Sequence, residues 1–436
     1  MNVIIKALGL QDVLIEKIEE FPNELRLVIH AKQDIKNCRC HVCKNSFIGV
    51  HEWKLREILA PPVGAFLQVK IQLLHLRGIC HVCGDSTRSA EVSYVHPQFQ
   101  NMTLSLCEWA GRMMEETTCQ ATARFLNLNP KTLWNLDQWR MRYMKKQLQL
   151  PADLDLSKMS ADEVHFRTMP KLDSLKKPEI KYVTNLVCYK ESKVVANAPG
   201  RDSKALFACL MTLSPLQLAS IKTFAVDMHE PFMMTIKKLC PQAEICVDRF
   251  HLAERVNEAF DEVRRAEFKK ADEANDTFQA GMLAPHRRFV LVEREKKLAD
   301  KDLKMLEKLR DLNKNILNGM ILVEHFHRIL DKFEVIEFRK SLLLWYRLVR
   351  ESELAPFRKL ALLIIKYRNY IESYVRTKLT TAVSEGLNNK IKVLRRVGYG
   401  YTNEQSYLNK ILQRCGFLNS RYINTTSWFW CLPLLA

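Results

Sequence analysis

The stretch TAVSEGLNNKIKVLRRVGYGYTNEQSYLNKIL, residues 381–412, organises the fold that we predict for this chain. At helical spacing, Leu387, Ile391 and Leu394 form an apolar stripe. The single acid Glu385 shares another, polar face with Asn388, Asn389 and Lys392. Such a polar face suits a polyanionic partner, although a charged helix surface is more often simply solvated. The candidates for contact with a nucleic acid are Asn389, Lys392, Arg395 and Arg396.

The composition favours a nucleic-acid partner. The chain has 436 residues and a formal net charge of +18, and lysine and arginine bind nucleic acids by neutralising phosphates and releasing counterions. A basic protein at a membrane surface is the alternative. However, the N-terminal segment carries charges throughout, unlike a secretory leader, and no apolar run is long enough to span a bilayer. With the cysteines mostly scattered, we expect a reduced cytosolic setting and no membrane partner.

Two copies of the motif CHVC predict a metal site. The motif places two cysteines at C-x2-C spacing, and two such pairs can arrange four thiolates tetrahedrally around zinc. Between the pairs, residues 66–78 alternate in polarity like a strand. We therefore predict a zinc ribbon with a long insert and one structural zinc ion, against the alternative of free buried thiols. The predicted ligands are Cys40, Cys43, Cys80 and Cys83; Cys38, His41 and His81 are expected to be bystanders, because a structural site closes at four ligands.

Residues 101–147 carry a helical pattern that is interrupted once. A short turn at Leu128-Asn129-Pro130 separates two amphipathic segments, and the second helix begins near Lys131. This pattern is typical of a helix-turn-helix, whose second helix enters the major groove of DNA. Plain packing of a helical hairpin is the alternative. The candidate DNA-reading residues are Lys131, Thr132 and Asn135.

From about residue 155 the pattern alternates between strands and helices, which indicates one mixed sheet covered by helices. Residues 252–380 then lose strand character and predict an all-helical insertion ahead of Glu385. Within the alternating part, strands are predicted at residues 156–166, 181–188, 193–198, 221–226 and 243–247, and helices at 203–213, 231–239 and from near His251 onward.

Three acids are candidates for one catalytic site. Asp162 lies within the first predicted strand and Asp227 follows the fourth, so the two carboxylates meet at one edge if these strands are neighbours. Glu385 would join them from a helix that returns across that edge. Clustered carboxylates repel one another unless cations lie among them. Two magnesium or manganese ions would relieve this repulsion and support in-line phosphoryl displacement. The alternative is that aspartates after strands merely cap the following helices.

Two nearby acids compete for these roles. Glu163 is expected on the opposite face of the sheet from Asp162, because side chains alternate along a strand. Asp248 follows the fifth predicted strand and is the closer competitor of Asp227. Because His251 lies three residues further on, we expect Asp248 to cap its helix or to bond His251, apart from the other acids.

The segments ADEVHF, AVDMHEPF, AEICVDRFHLAERVNEAFDEVRR and SEGLNNKIKVLRRVGYGYTNEQSYLNKIL together resemble the zinc-ribbon insertion-sequence transposases of the ISL-three group. The resemblance covers about residues 38–415. It implies a ribonuclease-H-like domain with a DDE triad, preceded by a cysteine ribbon and a helix-turn-helix. The triad maps to Asp162, Asp227 and Glu385, and the motif from Asp248 to His251 matches the family's D-x2-H signature beside the active site.

We therefore expect a multidomain α/β plus α protein that acts as a bacterial DNA transposase. It would bind terminal inverted repeats of double-stranded DNA, cut and join strands by metal-dependent phosphoryl transfer, and assemble as a homodimer or larger oligomer in the cytoplasm, at the nucleoid. The alternative is a transposase-derived DNA-binding regulator without activity. The expected parts are a zinc ribbon (1–100), a helix-turn-helix (101–150), a ribonuclease-H-like core (151–251), a helical insertion (252–380), the Glu-bearing core helix (381–418) and a C-terminal tail (419–436).

Overall fold

A computed structural model describes residues 8–10, 12–169, 179–285, 307–309, 311–398, 400–401 and 403–423. The described chain is a mixed α/β protein with two mixed sheets. It divides into two compact units, the first formed by residues 1–152 and 393–436 and the second by residues 153–392. Residues 286–306 of the predicted insertion and 424–436 of the predicted tail lie outside the described residues.

The strands alternate with helices only in the second unit. In chain order the strands are β1 (Val13–Phe21), β2 (Arg26–Gln33), β3 (Gly49–Ala60), β4 (Gln68–Cys80), β5 (Ser86–Ser89), β6 (Lys158–Met169), β7 (Glu179–Cys188), β8 (Lys193–Pro199), β9 (Thr223–Val226) and β10 (Glu244–Val247). The helices are α1 (Leu104–Glu116), α2 (Cys119–Leu126), α3 (Pro130–Gln147), α4 (Ser203–Leu210), α5 (Pro215–Ser220), α6 (Glu230–Leu239), α7 (Arg249–Glu273), α8 (Thr277–Leu283), α9 (Lys314–Leu330), α10 (Val335–Ser352), α11 (Ala355–Thr377), α12 (Ala382–Val397) and α13 (Glu404–Cys415).

The sheet of the first unit has the order β1-β2-β4-β3, and β5 pairs with the end of β4. Burial alternates along most of β4, so that one face of this long strand packs on the core. β2 and β4 are parallel, whereas the other pairs are antiparallel. The apolar core of this sheet includes Leu27, Ile29, Ile58, Ile71 and Leu73.

The helices of the first unit include one from the C-terminal part of the sequence. α13 packs against α1 and α3, and every residue from Ser406 to Gln413 is buried. Lys410 is among them, and its Nζ donates to Asp137 Oδ2 and to the Met114 carbonyl, both at 2.9 Å. The C-terminal segment is therefore a core element of the first unit.

The sheet of the second unit has the order β10-β9-β6-β7-β8. β6 is central, antiparallel to β7 and parallel to β9, and β9 is parallel to β10. The predicted strands and helices from residue 156 to the long helix near His251 are present in the predicted order, and α5 (Pro215–Ser220) is an additional short helix that was not predicted. The described residues of 252–380 form helices and no strand, as predicted, and α11 packs against β10 and α7.

Among the described residues, no helix combines the length and the apolar character needed to cross a membrane.

Candidate active site and zinc site

Strand register brings three aspartates to one level of the sheet. Ser160 of β6 pairs with Ala225 of β9, so the same register, continued by two residues, sets Asp162 beside Asp227. Val247 of β10 pairs with Val226 of β9, and the next residue on each strand is an aspartate, Asp248 and Asp227. Asp227 and Asp248 follow the ends of the parallel strands β9 and β10, whereas Asp162 lies within β6 at the same level. The predicted adjacency of the strands that carry Asp162 and Asp227 is confirmed.

Glu385 reaches this edge from the first turn of α12. The hydroxyl of Thr381 donates to Glu385 Oε1 at 3.3 Å. The hydroxyls of Ser384 and Ser160 lie 2.5 Å apart, and both residues are fully buried. α12 therefore lies directly against β6.

The acids interact electrostatically. Burial raises the pKa of Asp162 to about 6, and the charges of Asp227 and Glu385 act in the same direction. Burial also raises the pKa of Glu163 to about 7, with Asp162 as the next cause. Each of these shifts reflects negative charge held close together and away from water.

His251 pairs with Asp227. One of the two alternatives predicted from the sequence was a hydrogen bond between His251 and Asp248, and that alternative is wrong. Its Nε2 lies 2.6 Å from Asp227 Oδ1, and its Nδ1 lies 3.5 Å from Glu254 Oε2. The hydrogen bond with Asp227 raises the pKa of His251 to about 9, although burial opposes the shift. His251 thus places a cationic ring beside the second predicted triad acid.

Asp248 caps its helix, which is the other alternative that the sequence left open. Its Oδ2 accepts the backbone N–H of Phe250 at 2.9 Å. The expectation that it lies apart from the other acids is wrong: one ligand atom each of Asp248, His251 and Glu385 lie within 4.8 Å of one another. Among the described residues, this group of three possible ligands includes neither Asp162 nor Asp227.

The chemistry of this donor set fits a divalent cation. Carboxylate oxygens are the ligands that magnesium and manganese prefer. Asp162 is held near Asp227 and Glu385 in a site where burial and like charge both disfavour its ionised form, and a cation would remove that penalty. The acids that could hold such a cation are Asp162, Asp227, Asp248 and Glu385.

The four cysteines of the CHVC motifs form a cluster in the first unit. The Sγ atoms of Cys43 and Cys80 lie 3.4 Å apart, and those of Cys40 and Cys83 lie 3.9 Å apart. All four Sγ atoms lie within 4.8 Å of one another. A tetrahedral zinc site with Zn–S bonds of about 2.3 Å has sulfur separations of about 3.8 Å. The donor set therefore fits zinc.

The two cysteine turns have the same backbone shape. The residue after each motif, Lys44 or Gly84, has a positive φ of 64° or 75°. The backbone N–H of Asn45 lowers the pKa of the Cys43 thiol to about 6 and favours its thiolate, whereas burial raises the pKa of Cys80 and of Cys83.

The three spare donors lie elsewhere, as the four-ligand rule predicts. Cys38 packs with Leu76 and Ala90 in a small apolar cluster. His41 Nδ1 contacts the Ser89 carbonyl at 3.0 Å, and His81 Nδ1 contacts Asp85 at 2.9 Å.

α2 and α3 form the predicted hairpin. Asn127 ends α2 with φ 50°, and Asn129 caps α3 by accepting the N–H of Lys131 at 2.8 Å. Lys131 and Asn135 are exposed, and Thr132 is half-buried. Trp134 lies beside them early on α3, as expected; its ring is 40% exposed, and the Lys131 ammonium lies 4.7 Å from the ring centroid.

The polar face of α12 is divided between exposed and buried residues. Asn389, Lys392 and Arg396 are exposed and Arg395 is half-buried. Asn388, which was predicted to share the polar face with Asn389 and Lys392, is instead buried and donates to Asp162 Oδ2 at 2.8 Å. Its position three residues after Glu385 was the available signal, since such residues share a helix face.

The chain is similar to known transposases. Residues 172–411, which include Asp227, Asp248 and Glu385, match a family model of ISL-three-type DDE proteins described as a transposase. The chain is 26% identical over 409 residues to the transposase for insertion sequence element IS1001 of Bordetella parapertussis, covering 92% of this chain and 95% of that protein. It is 23% identical over 247 residues to the transposase for element IS1557 of Mycobacterium tuberculosis, covering 52% of this chain and 55% of that protein.

Proposed function

Because the chain belongs to the ISL-three group of DDE transposases, we propose that it binds the terminal inverted repeats of its own element and catalyses metal-dependent cleavage and transfer of DNA strands. The observation that carries this proposal is the register that aligns Asp162 with Asp227, together with the helix that brings Glu385 to the same edge. The order of the sheet supports a ribonuclease-H-like core, in which an antiparallel set β8-β7-β6 continues into parallel β9 and β10.

In this proposal Asp162, Asp227 and Glu385 hold two divalent cations. Cations held by these acids would supply activation of a water or a 3′-hydroxyl and stabilisation of the leaving oxygen in an in-line displacement. The chain's own contribution is to hold the acids close together, and the bound cations would favour their ionised form. Asp248 supports this arrangement by capping α7 and accepting the N–H of Thr381, and His251 lies against Asp227.

Separate parts of the chain would recognise DNA. We assign sequence reading to the hairpin α2–α3, with Lys131, Thr132 and Asn135 as contacts. The four-cysteine cluster would hold one structural zinc in a ribbon within residues 1–100. Exposed Asn389, Lys392 and Arg396, with Arg395, would contact the DNA backbone, in keeping with the net charge of +18. Two ends must be joined in one reaction, so a dimer or larger oligomer on DNA at the bacterial nucleoid is the proposed working form.

The test is cleavage of DNA that spans the junction between an element end and its flank. The full-length chain should cut this DNA with magnesium or manganese and leave it intact with EDTA. Asp162→Ala, Asp227→Ala and Glu385→Ala should each abolish cutting and preserve binding of the end. Binding of the ends by the wild type without any metal-dependent cleavage would instead support the second candidate, an inactive DNA-binding regulator, which the presence of all three acids disfavours.

A further inference from the structure

Asn388 is engaged at both ends of its side-chain amide. Its Nδ2 donates to Asp162 Oδ2 at 2.8 Å, and its Oδ1 accepts from Asn185 Nδ2 at 3.3 Å. Asn185 lies on β7 directly opposite Asp162. Asn388 and Asn185 are 5% and 1% exposed. This amide is therefore turned toward the sheet and is not available to a DNA backbone.

A second contact repeats the same geometry two strand residues away. Ser384 contacts Ser160, and Asn388 contacts Asp162. Two residues along a strand rise about 6.6 Å, and four residues along a helix rise about 6 Å. The two pairs therefore fit in register, and a shift of α12 by one residue would break both.

We propose that Asn388 is a positioning residue for the metal-binding acids. It fixes the orientation of the Asp162 carboxylate directly, and it fixes the place of Glu385 through the register of α12. This inference rests on the proposed function, because it concerns the same acids and the cations that they would bind.

The chemistry of the amide suits this role. Asp162 faces repulsion from Asp227 and Glu385. Its Oδ1 accepts the backbone N–H of Glu163 at 2.7 Å, and the Asn388 amide holds the other oxygen, so that the two donors together fix one orientation of the carboxylate. A lysine at position 388 would supply a donor but would also compete with the cation. A neutral amide donates one hydrogen bond and leaves the full negative charge of the carboxylate for the metal ion.

Asn389 provides the matched control, because it is adjacent in sequence, identical in chemistry and exposed. Two measurements on the full-length chain test the proposal: Mn²⁺ binding without DNA, followed by electron paramagnetic resonance, and cleavage of element-end DNA as a function of Mn²⁺ concentration. Asn388→Ala should weaken Mn²⁺ binding about 10-fold, the size typical of residues that orient metal ligands. Asn389→Ala serves as the control only for Mn²⁺ binding without DNA, because Asn389 is itself a proposed DNA contact, and in that measurement it should bind Mn²⁺ as the wild type does.

The cleavage titration separates positioning from a merely structural role. High Mn²⁺ should restore much of the cleavage by Asn388→Ala and none by Asp162→Ala. Asn185→Ala, which removes only the support of the Asn388 amide, should weaken Mn²⁺ binding less, and it serves as the deciding variant if Asn388→Ala does not fold. The inference is overturned if Asp162→Ala loses Mn²⁺ binding while a folded Asn388→Ala keeps the affinity of the wild type. If Asn388→Ala does not fold, the same comparison is made with Asn185→Ala. In both cases the proposed function stands. A wild type whose Mn²⁺ binding is unaffected by Asp162→Ala and that does not cleave end DNA overturns both.

Discussion

Asp248 Oδ1 accepts the backbone N–H of Thr381 at 2.9 Å. Its other oxygen accepts the N–H of Phe250 at the start of α7. One buried carboxylate thus holds the beginning of α7 and the residue that precedes α12, the helix of Glu385. Asp227, which stands one strand away at the same level, has its contact with His251 instead.

This difference predicts different outcomes for two alanine variants. Asp248→Ala removes a helix cap, which costs about 0.5–2 kcal/mol, and leaves the buried N–H of Thr381 without its acceptor, about 1–3 kcal/mol more. We expect a lower melting temperature and partial loss of cleavage. Asp227→Ala should keep the melting temperature close to that of the wild type and abolish cleavage.

Both variants should retain binding of end DNA, which is the control for folding of the first unit. The reverse pattern, with Asp227→Ala active in magnesium and Asp248→Ala inactive but equally stable, would mean that the second metal ligand belongs to β10 and not to β9.

The cysteine cluster predicts one zinc ion per chain. Cys43→Ser should lose that zinc and unfold the ribbon, because metal binding supplies folding free energy at such sites. Cys38→Ser is the matched control, since Cys38 lies in an apolar cluster away from the four sulfurs. Metal analysis of the purified variants gives the answer. Full zinc content in Cys43→Ser would remove this residue from the ligand set.

The hairpin α2–α3 predicts a salt-sensitive contact with DNA. Lys131 is exposed at the start of α3, where a helix entering a groove meets the phosphates or bases. Lys131→Gln should weaken binding of end DNA and reduce the slope of log K against log salt by about 1 if the lysine contacts phosphate. Asn135→Ala should instead weaken the preference for end DNA over random duplex. An unchanged preference and an unchanged slope in both variants would place recognition elsewhere.

The buried contacts of the C-terminal segment predict that residues 1–152 are not stable without it. Lys410 Nζ is buried against Asp137, and Ser420 donates to the Glu115 carboxylate. Lys410→Met in the full chain leaves Asp137 as a buried charge without its cation, which costs about 3–5 kcal/mol. The double variant Lys410→Met/Asp137→Leu should recover most of that loss in urea unfolding. Equal stability of the single variant and the wild type would show that the ion pair is dispensable.

Sequence patterns predicted the elements that are local. Apolar runs of strand length predicted the strands β6 to β10 in order. β9 is buried throughout and β10 nearly so, as expected for strands covered on both faces of a sheet. They did not predict that α13 belongs with α1 and α3, because that contact joins residues nearly 300 positions apart and depends on buried charges such as Lys410. A lysine in a sequence reads as solvated, and only its partners in the fold can reverse that.

The same limit applied at the candidate site. Parallel pairing predicted Asp162 beside Asp227, but the partner of His251 depends on which side chain the first turn of α7 presents to the neighbouring strand. Spacing within the D-x2-H motif pointed to Asp248, which is instead committed to two backbone N–H groups. Asn388 was predicted to share a face with Asn389 and Lys392 for a related reason, since a helical wheel gives the polar face but not the strand that covers it.

His96 predicts a pH-dependent stability of the first unit. The ring is fully buried, and its Nδ1 accepts the backbone N–H groups of Gln98 at 3.1 Å and Phe99 at 3.3 Å. A nitrogen that accepts these bonds cannot carry a proton, so the neutral ring is the form that folds. Burial lowers the pKa of His96 from 6.5 to about 4.

Because the folded pKa lies below the unfolded value, the unfolded chain binds more protons between pH 6.5 and 4, and stability falls as pH falls through that window. At pH 5 the loss attributable to His96 is about 2 kcal/mol. In His96→Asn the side-chain oxygen can still accept the two N–H groups but does not titrate. The free energy of unfolding, measured in urea at pH 7.5 and pH 5, should therefore fall by about 2 kcal/mol less in His96→Asn than in the wild type. In the control variant His51→Asn, at an exposed histidine, the fall should equal that of the wild type. Equal acid-induced losses in all three proteins would mean that the pKa of His96 is the same in the folded and the unfolded chain, and that its burial does not set the pH dependence.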